Sequence, residues 1–108
     1  VKEAVSYDDV LLVPKYSEVE SRSQIDIGSD LDNNLRFDLP VISSPMDTVT
    51  EDKMALAMDK YGGLGLIHRY NSIEDQVAIA ALACFEDDNA KVGAAVGMTG
   101  DFEERALA

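Results

Sequence analysis

Three times between residues 41 and 108 a short apolar run gives way to a turn and then to apolar residues at helical spacing, and this repetition restricts the fold more than any other feature of the chain. Strands separated by helices cannot pair as hairpins; they lie parallel, with the helices as crossovers, so the pattern reads as an α/β architecture. The first unit pairs a strand over residues 41–44 with a helix over 51–61, where Thr48-x-x-Glu51 has the spacing of a capping box and Met54, Ala55 and Met58 share a face. Gly62-Gly63 stops that helix by tolerating positive φ. The second pairs residues 65–68 with a helix from Ile73, opened by Ser72 as N-cap and Asp75 as first-turn acid, with Ile73, Val77, Ala80, Ala81 and Cys84 as its buried stripe. The third pairs residues 92–96 with a helix opening around Asp101-x-x-Glu104.

Upstream the rhythm differs. Val10-Leu-Leu-Val13 is stopped by Pro14, and the polar residues 15–23 read as an arm or loop. Ile25 and Ile27, then Leu35, Phe37 and Leu39, alternate with polar residues on either side of Asp32-Asn33-Asn34, which predicts a small β-hairpin. The expected division is an arm and hairpin over residues 1–40 and three β/α units over 41–108.

Nine Lys and Arg against 21 Asp and Glu give a net charge of −12, with the basic residues scattered, so nucleic acid and anionic membrane surfaces are unsuitable partners. The single cysteine, Cys84, allows no intrachain disulfide and no metal-type Cys spacing, which suits a reducing cytoplasm. The opening residues lack an apolar signal core, and no run approaches the roughly 18 apolar residues of a membrane span.

The run Pro40-Val-Ile-Ser-Ser-Pro-Met-Asp-Thr-Val-Thr-Glu51 places Ser43, Ser44, Met46, Asp47 and Thr48 at the carboxyl end of the first parallel strand, where a β/α barrel turns side chains toward a ligand. By spacing alone these residues serve equally well to shape a turn and cap a helix. His68, the one histidine, follows directly on the second strand and reaches the same end; a lone His there is either a hydrogen-bonded structural residue or a ligand contact. No Ser or Cys nucleophile pairs with it from sequence, which removes hydrolase triads. Gly62-Gly63-x-Gly65 is not a dinucleotide fingerprint, because the order is helix, glycines, strand. Gly93 and Gly97 belong to a strand and its mouth and read as structural, although Gly97-Met98-Thr99-Gly100 leaves room for a ligand beside the backbone. The acidic pairs Asp8-Asp9, Glu51-Asp52, Glu74-Asp75, Asp87-Asp88 and Glu103-Glu104 are too dispersed for a carboxylate dyad and read as caps and solvated faces. No metal site is expected.

Taken together, Tyr7-Asp-Asp-Val-Leu-Leu-Val-Pro14, Ser43-Ser-Pro-Met-Asp-Thr-Val49, Gly62-Gly-Leu-Gly-Leu-Ile-His68 and Val92-Gly-Ala-Ala-Val-Gly-Met-Thr99 resemble the N-terminal portion of the inosine-5'-monophosphate dehydrogenase and guanosine-5'-monophosphate reductase family, from about Ser6 onward. The resemblance implies the N-terminal part of a (β/α)8 TIM barrel, incomplete because such a barrel takes about 250 residues. It implies a purine nucleotide substrate, with Ser44 near the ribose phosphate and Met46 against the purine, both positioning residues. Ser43, Asp47, Thr48 and His68 are then candidate pocket-lining groups, Asp47 orienting the loop. It also implies that Cys84 is not the family's catalytic cysteine, which sits in a glycine-rich loop after a later strand; Cys84 reads as buried helix packing. No catalytic residue falls within these positions.

For the dehydrogenase, the resemblance implies NAD-dependent oxidation of IMP to XMP, a monovalent cation such as K+ ordering the cysteine loop, and a homo-oligomer, tetrameric in the family. Only residues 83–90 separate the second helix from the third strand, a link too short for the regulatory cystathionine-β-synthase-like modules of many dehydrogenases. That leaves NADPH-dependent GMP reductase as an alternative, and a non-catalytic truncated product that folds only by self-association as another. The 108 residues alone are expected to be inactive.

Overall fold

A computed structural model describes residues 2–85 and 89–108; the acidic pair Asp87-Asp88 and part of the link before the third strand lie outside them. Among the described residues, five strands and three α-helices follow in order: β1 (Ser29–Asp30), β2 (Arg36–Phe37), β3 (Ile42–Ser43), α1 (Asp52–Lys60), β4 (Leu64–Ile67), α2 (Ile73–Phe85), β5 (Val92–Ala94) and α3 (Phe102–Leu107). The expected hairpin and all three strand–helix units are present, with β3 and β5 shorter than the expected 41–44 and 92–96 and β4 one residue earlier than the expected 65–68.

β1 and β2 pair antiparallel, Ser29 opposite Phe37, around a turn in which Asp32 Oδ1 accepts the amides of Asn34 (2.7 Å) and Leu35 (2.8 Å). Ile25 and Ile27 lie outside the pairing and are exposed. Lys91 ties the hairpin to the foot of the sheet: its ammonium sits 5.7 Å over the Phe37 ring and donates to Arg36 O, while its amide donates to Asp59 Oδ1 at 2.9 Å. The arm before the hairpin is joined to it by Asp26, which pairs with Arg36 at 2.6 Å, but its apolar residues are unpacked, with Leu11 95% and Leu12 98% exposed. It carries two 3-10 turns, Tyr7–Asp9 and Arg22–Gln24; in the first, Asp9 accepts from the Ser6 amide and hydroxyl at 2.9 Å each and is held below the usual carboxylate range by those bonds.

β3, β4 and β5 form a parallel sheet in that order, with β3 and β5 as open edges among the described residues. Side chains alternate across its faces. Ser43, Gly65 and Val92 share one row by register, with Ile67 and Ala94 two positions on. This face lies under the helices: a Cβ on Gly65 would stand 2.4 Å from Ala55 Cα, and Ala55, Ile67 and Ala83 form the buried core, flanked by Ile79, Ala80 and Val92. Ile42, Leu64, Leu66 and Gly93 face the other way.

Two expected helix faces are corrected. On α1, Ala55 is buried and Met58 half-buried, but Met54 points outward. On α2 the inner stripe is Gln76, Ile79, Ala80 and Ala83; Val77, Ala81 and Cys84 lie one step round the helix, and Cys84 is exposed rather than buried. The helix rolls because Ala83, not Cys84, sits over Ile67, and because Gln76 is drawn in by the strand mouths. α1 ends as its glycines predict: Gly62, at φ +81°, donates to Asp59 O and Gly63 to Met58 O, both at 2.8 Å, a Schellman closure. Of this pair, only Gly62 has positive φ.

Gly65→Ala should destabilise the chain by about 1–3 kcal/mol, because its methyl meets α1 backbone that cannot rotate away; urea unfolding measures it.

Candidate functional site

The carboxyl ends of β3, β4 and β5 meet on one side of the sheet, and the sequence-predicted residues gather there. Ser43 is in the helix-facing row, and its hydroxyl lies 3.0 Å from that of Thr50. Ser44, one position on, is exposed, and its hydroxyl has no partner among the described residues. Met46 is 56% exposed. Between them Pro45 contributes a fixed φ and no amide donor. Ser44 O accepts from Met46 N (2.8 Å) and Thr50 Oγ1 (2.6 Å), while Met46 O accepts from Val49 N (3.1 Å) and Thr50 N (3.2 Å). The turn is therefore closed by its own backbone and one threonine.

Thr48 sits at φ +60°, in the left-handed region a β-branched residue rarely occupies. The expected capping box with Glu51 does not form: Glu51 is the N-cap of α1, but no side-chain cap bond is made. The reversal at Thr48 buries the hydroxyl of Thr50 instead, and the Glu51 carboxylate turns to His68.

His68 is 2% exposed. Its Nδ1 accepts the Tyr70 amide at 3.2 Å, so that nitrogen carries no proton and the hydrogen is on Nε2. Nε2 donates to Glu51 Oε1 at 3.4 Å, with Asp47 Oδ1 at 3.8 Å. Ligand atoms of Asp47, Glu51 and His68 lie within 4.8 Å of one another, a spacing open to a metal ion. The tautomer opposes it, since the Nε2 lone pair that a cation needs is used by the proton the carboxylates attract. Chemically the Glu51–His68 hydrogen bond, with Asp47 alongside, is a clamp joining the β3–α1 turn to the end of β4.

A second polar cluster closes the neighbouring strand mouths. Gln76 is buried, and its amide nitrogen donates to His68 O and Ala95 O at 3.0 Å each, bridging β4 and β5. Gln76 Oε1 accepts from Arg105 Nη1 at 3.0 Å, and the same guanidinium donates to Ser72 O (3.4 Å), Asn71 O (3.1 Å) and Asp101 Oδ2 (2.8 Å). Ser72 caps α2 as expected, through Asp75 N at 3.0 Å. Asp101 does not cap α3 with its side chain; it holds Arg105, whose hydrogen bond lowers the Asp101 carboxyl below the ordinary aspartate range.

Sequence reasoning brought Ser44, Met46, Asp47 and His68 to one end of the sheet. It missed Thr50, Glu51, Gln76 and Arg105. Gln76 was detectable as the one polar residue in phase with Ile73, Ala80 and Ala83; Thr50, among several hydroxyls, carried no such mark.

A family model described as the IMP dehydrogenase / GMP reductase domain matches residues 4–108. The chain belongs to that family. The inosine-5'-monophosphate dehydrogenase of Nitrosopumilus maritimus (strain SCM1) is 52% identical over 75 residues, 69% of this chain and 16% of the relative. That of Bacillus subtilis (strain 168) is 53% identical over 75 residues, 69% of this chain and 15% of the relative. A GMP reductase of Leishmania donovani is 46% identical over 77 residues, 71% of this chain and 16% of the relative. The chain thus spans about one sixth of their length. The crystal structure of inosine 5' monophosphate dehydrogenase from Legionella pneumophila superposes with a TM-score of 0.83 at 38% identity, covering 96% of this chain and 31% of that one. The resemblance drawn from the motifs is confirmed, and with it the fold: the N-terminal part of a TIM barrel, its parallel sheet not closed. The family is one of oxidoreductases. No helix among the described residues is long and apolar enough to cross a membrane.

Gln76→Leu should lower stability by about 3 kcal/mol in chemical denaturation, since two strand-end carbonyls lose their partner and the Arg105 guanidinium loses one of its four acceptors. Acid should weaken the α3 dock. The Asp101–Arg105 contribution is complete above the ordinary aspartate range and is lost as pH falls through the depressed Asp101 value. Amide protection factors in α3 should fall on acidification in the wild type and be already low and pH-independent in Asp101→Asn.

Proposed function

We propose that this chain supplies one wall of the substrate pocket in an NAD-dependent IMP dehydrogenase, converting IMP to XMP. The observation that carries the reading is the Ser44–Met46 turn: an unpartnered hydroxyl and an exposed thioether held at a strand's carboxyl end by a closed set of hydrogen bonds. Ser44 hydrogen-bonds the nucleotide near its ribose phosphate, and Met46 packs on the purine face. Neither moves a proton. Asp47, drawn toward His68, orients the loop. Thr48 lines the pocket entrance and sets the turn's reversal, while Ser43 and His68 support the wall from behind. NAD, when bound, supplies the hydride acceptor; the residues here fit the nucleotide's sugar and base, and the family resemblance assigns the monovalent cation to the cysteine loop.

Identities of 52% and 53% to two dehydrogenases support this over the reductase. The 46% identity to a GMP reductase keeps NADPH-dependent reduction of GMP to IMP as the second reading. The bare apolar arm, Tyr7 to Val13, supports docking against further barrel or a second subunit in a homo-oligomer. The lone exposed Cys84 suits a reducing cytoplasm.

Calorimetric titration of the full-length protein carrying this chain should show IMP binding, weakened about tenfold by Ser44→Ala and by Met46→Ala. The 108 residues alone should produce no NADH from IMP and NAD. Unchanged affinity in both variants, or preference for GMP with NADPH turnover, would overturn the dehydrogenase reading.

A further inference from the structure

We infer that Thr50 is the positioning residue of the nucleotide turn, directing Ser44 and Met46 through a hydroxyl relay that begins at Ser43. The inference rests on reading that turn as a purine-nucleotide wall.

Thr50 is fully buried, and its Oγ1 lies 2.6 Å from Ser44 O and 3.0 Å from Ser43 Oγ. A hydroxyl has one hydrogen. The Ser44 carbonyl can only accept, so Thr50 gives its hydrogen there, and the contact to Ser43 must run the other way, Ser43 donating and Thr50 accepting. The order is thus Ser43 Oγ–H to Thr50 Oγ1–H to Ser44 O. This uses Ser43's only hydrogen on the helix side of the sheet and leaves Ser44, whose own hydroxyl is unpartnered, as the serine that can donate to a ligand.

Thr50 also reaches the second carbonyl of the turn, donating its amide to Met46 O at 3.2 Å. It therefore holds the carbonyls on both sides of Pro45. With the proline φ fixed, the orientation of the Ser44 carbonyl sets where the following two residues point. Thr50 can do this because α1 begins two residues later and is locked on the sheet by the Gly65–Ala55 approach. It touches no ligand itself; it fixes the residues that do.

The test compares Thr50→Val, which keeps the shape and loses the hydroxyl, with Thr50→Ser, which keeps the hydroxyl, in the full-length protein. Thr50→Val should weaken IMP binding about tenfold and raise KM with kcat within about twofold, whereas Thr50→Ser should bind within about twofold of wild type. Equal affinity for Thr50→Val and wild type would overturn the inference, as would a Thr50→Ser variant as impaired as Thr50→Val, which would assign the effect to packing. If Thr50→Val does not fold, Ser43→Ala decides, since it removes only the donor to Thr50: a severalfold loss of IMP affinity supports the relay and no change overturns it. If the wild type binds neither IMP nor GMP, the functional reading falls, and amide exchange at Met46 still decides on Thr50. Exchange there should be about tenfold faster in Thr50→Val, or in Ser43→Ala should that variant not fold, and unchanged exchange refutes the relay.

Discussion

The approach of α1 to β4 is the constraint on which the rest of this structure depends. At Gly65 the strand passes so near Ala55 that a methyl group has no room, and the helix lies at backbone distance from the sheet. Two small residues set that distance, and the start of the helix follows from it. Thr50 is thereby brought over Ser43, and Glu51 comes within reach of His68. Larger residues at either position would lift α1 and separate both contacts. A contact between two small residues thus decides whether the strand end is tied at all.

The apolar core around this contact is small, with Ala55, Ile67 and Ala83 buried in one cluster. Buried polar residues complete it: Thr50, His68 and Gln76. Each satisfies backbone carbonyls or amides that the short strands leave unpaired at their carboxyl ends. Strands of two to four residues make few ladder bonds, so strand mouths would fray without side-chain partners. Gln76 binding two carbonyls from adjacent strands does for β4 and β5 what Thr50 does for β3. Because such groups are costly to bury unpaired, they fix one arrangement where apolar contacts alone would admit several.

Much of the fold was legible in the sequence because its signals are local. Alternation of apolar runs with helical spacing set the order of strands and helices, Ser72 marked the start of α2, and Gly62 marked the end of α1. What was not legible depended on neighbours distant in the chain. The roll of α2 that exposes Cys84 and buries Gln76 is set by carbonyls at His68 and Ala95, which no helical pattern contains. Thr48-x-x-Glu51 has the right spacing for a cap, yet the partner that claims Glu51 is His68, 17 residues on. Of the candidate site, the position of Ser44 and Met46 at a strand's carboxyl end could be read from the motif, while the groups that hold their turn were recognisable only in three dimensions.

The closure of α1 at Gly62 and Gly63 has a mechanical side. The helix is fastened at both ends, to the β3 mouth through Thr50 and to the β4 entry through its Schellman bonds. Its nine residues span about 14 Å and behave as a strut rather than a spring. Strain applied at the foot of the sheet, where Lys91 joins Asp59 to the Phe37 ring of the hairpin, would be carried along this strut to the β3–α1 turn. The two ends of the barrel wall are in that sense one lever, and the hairpin rests on its far arm.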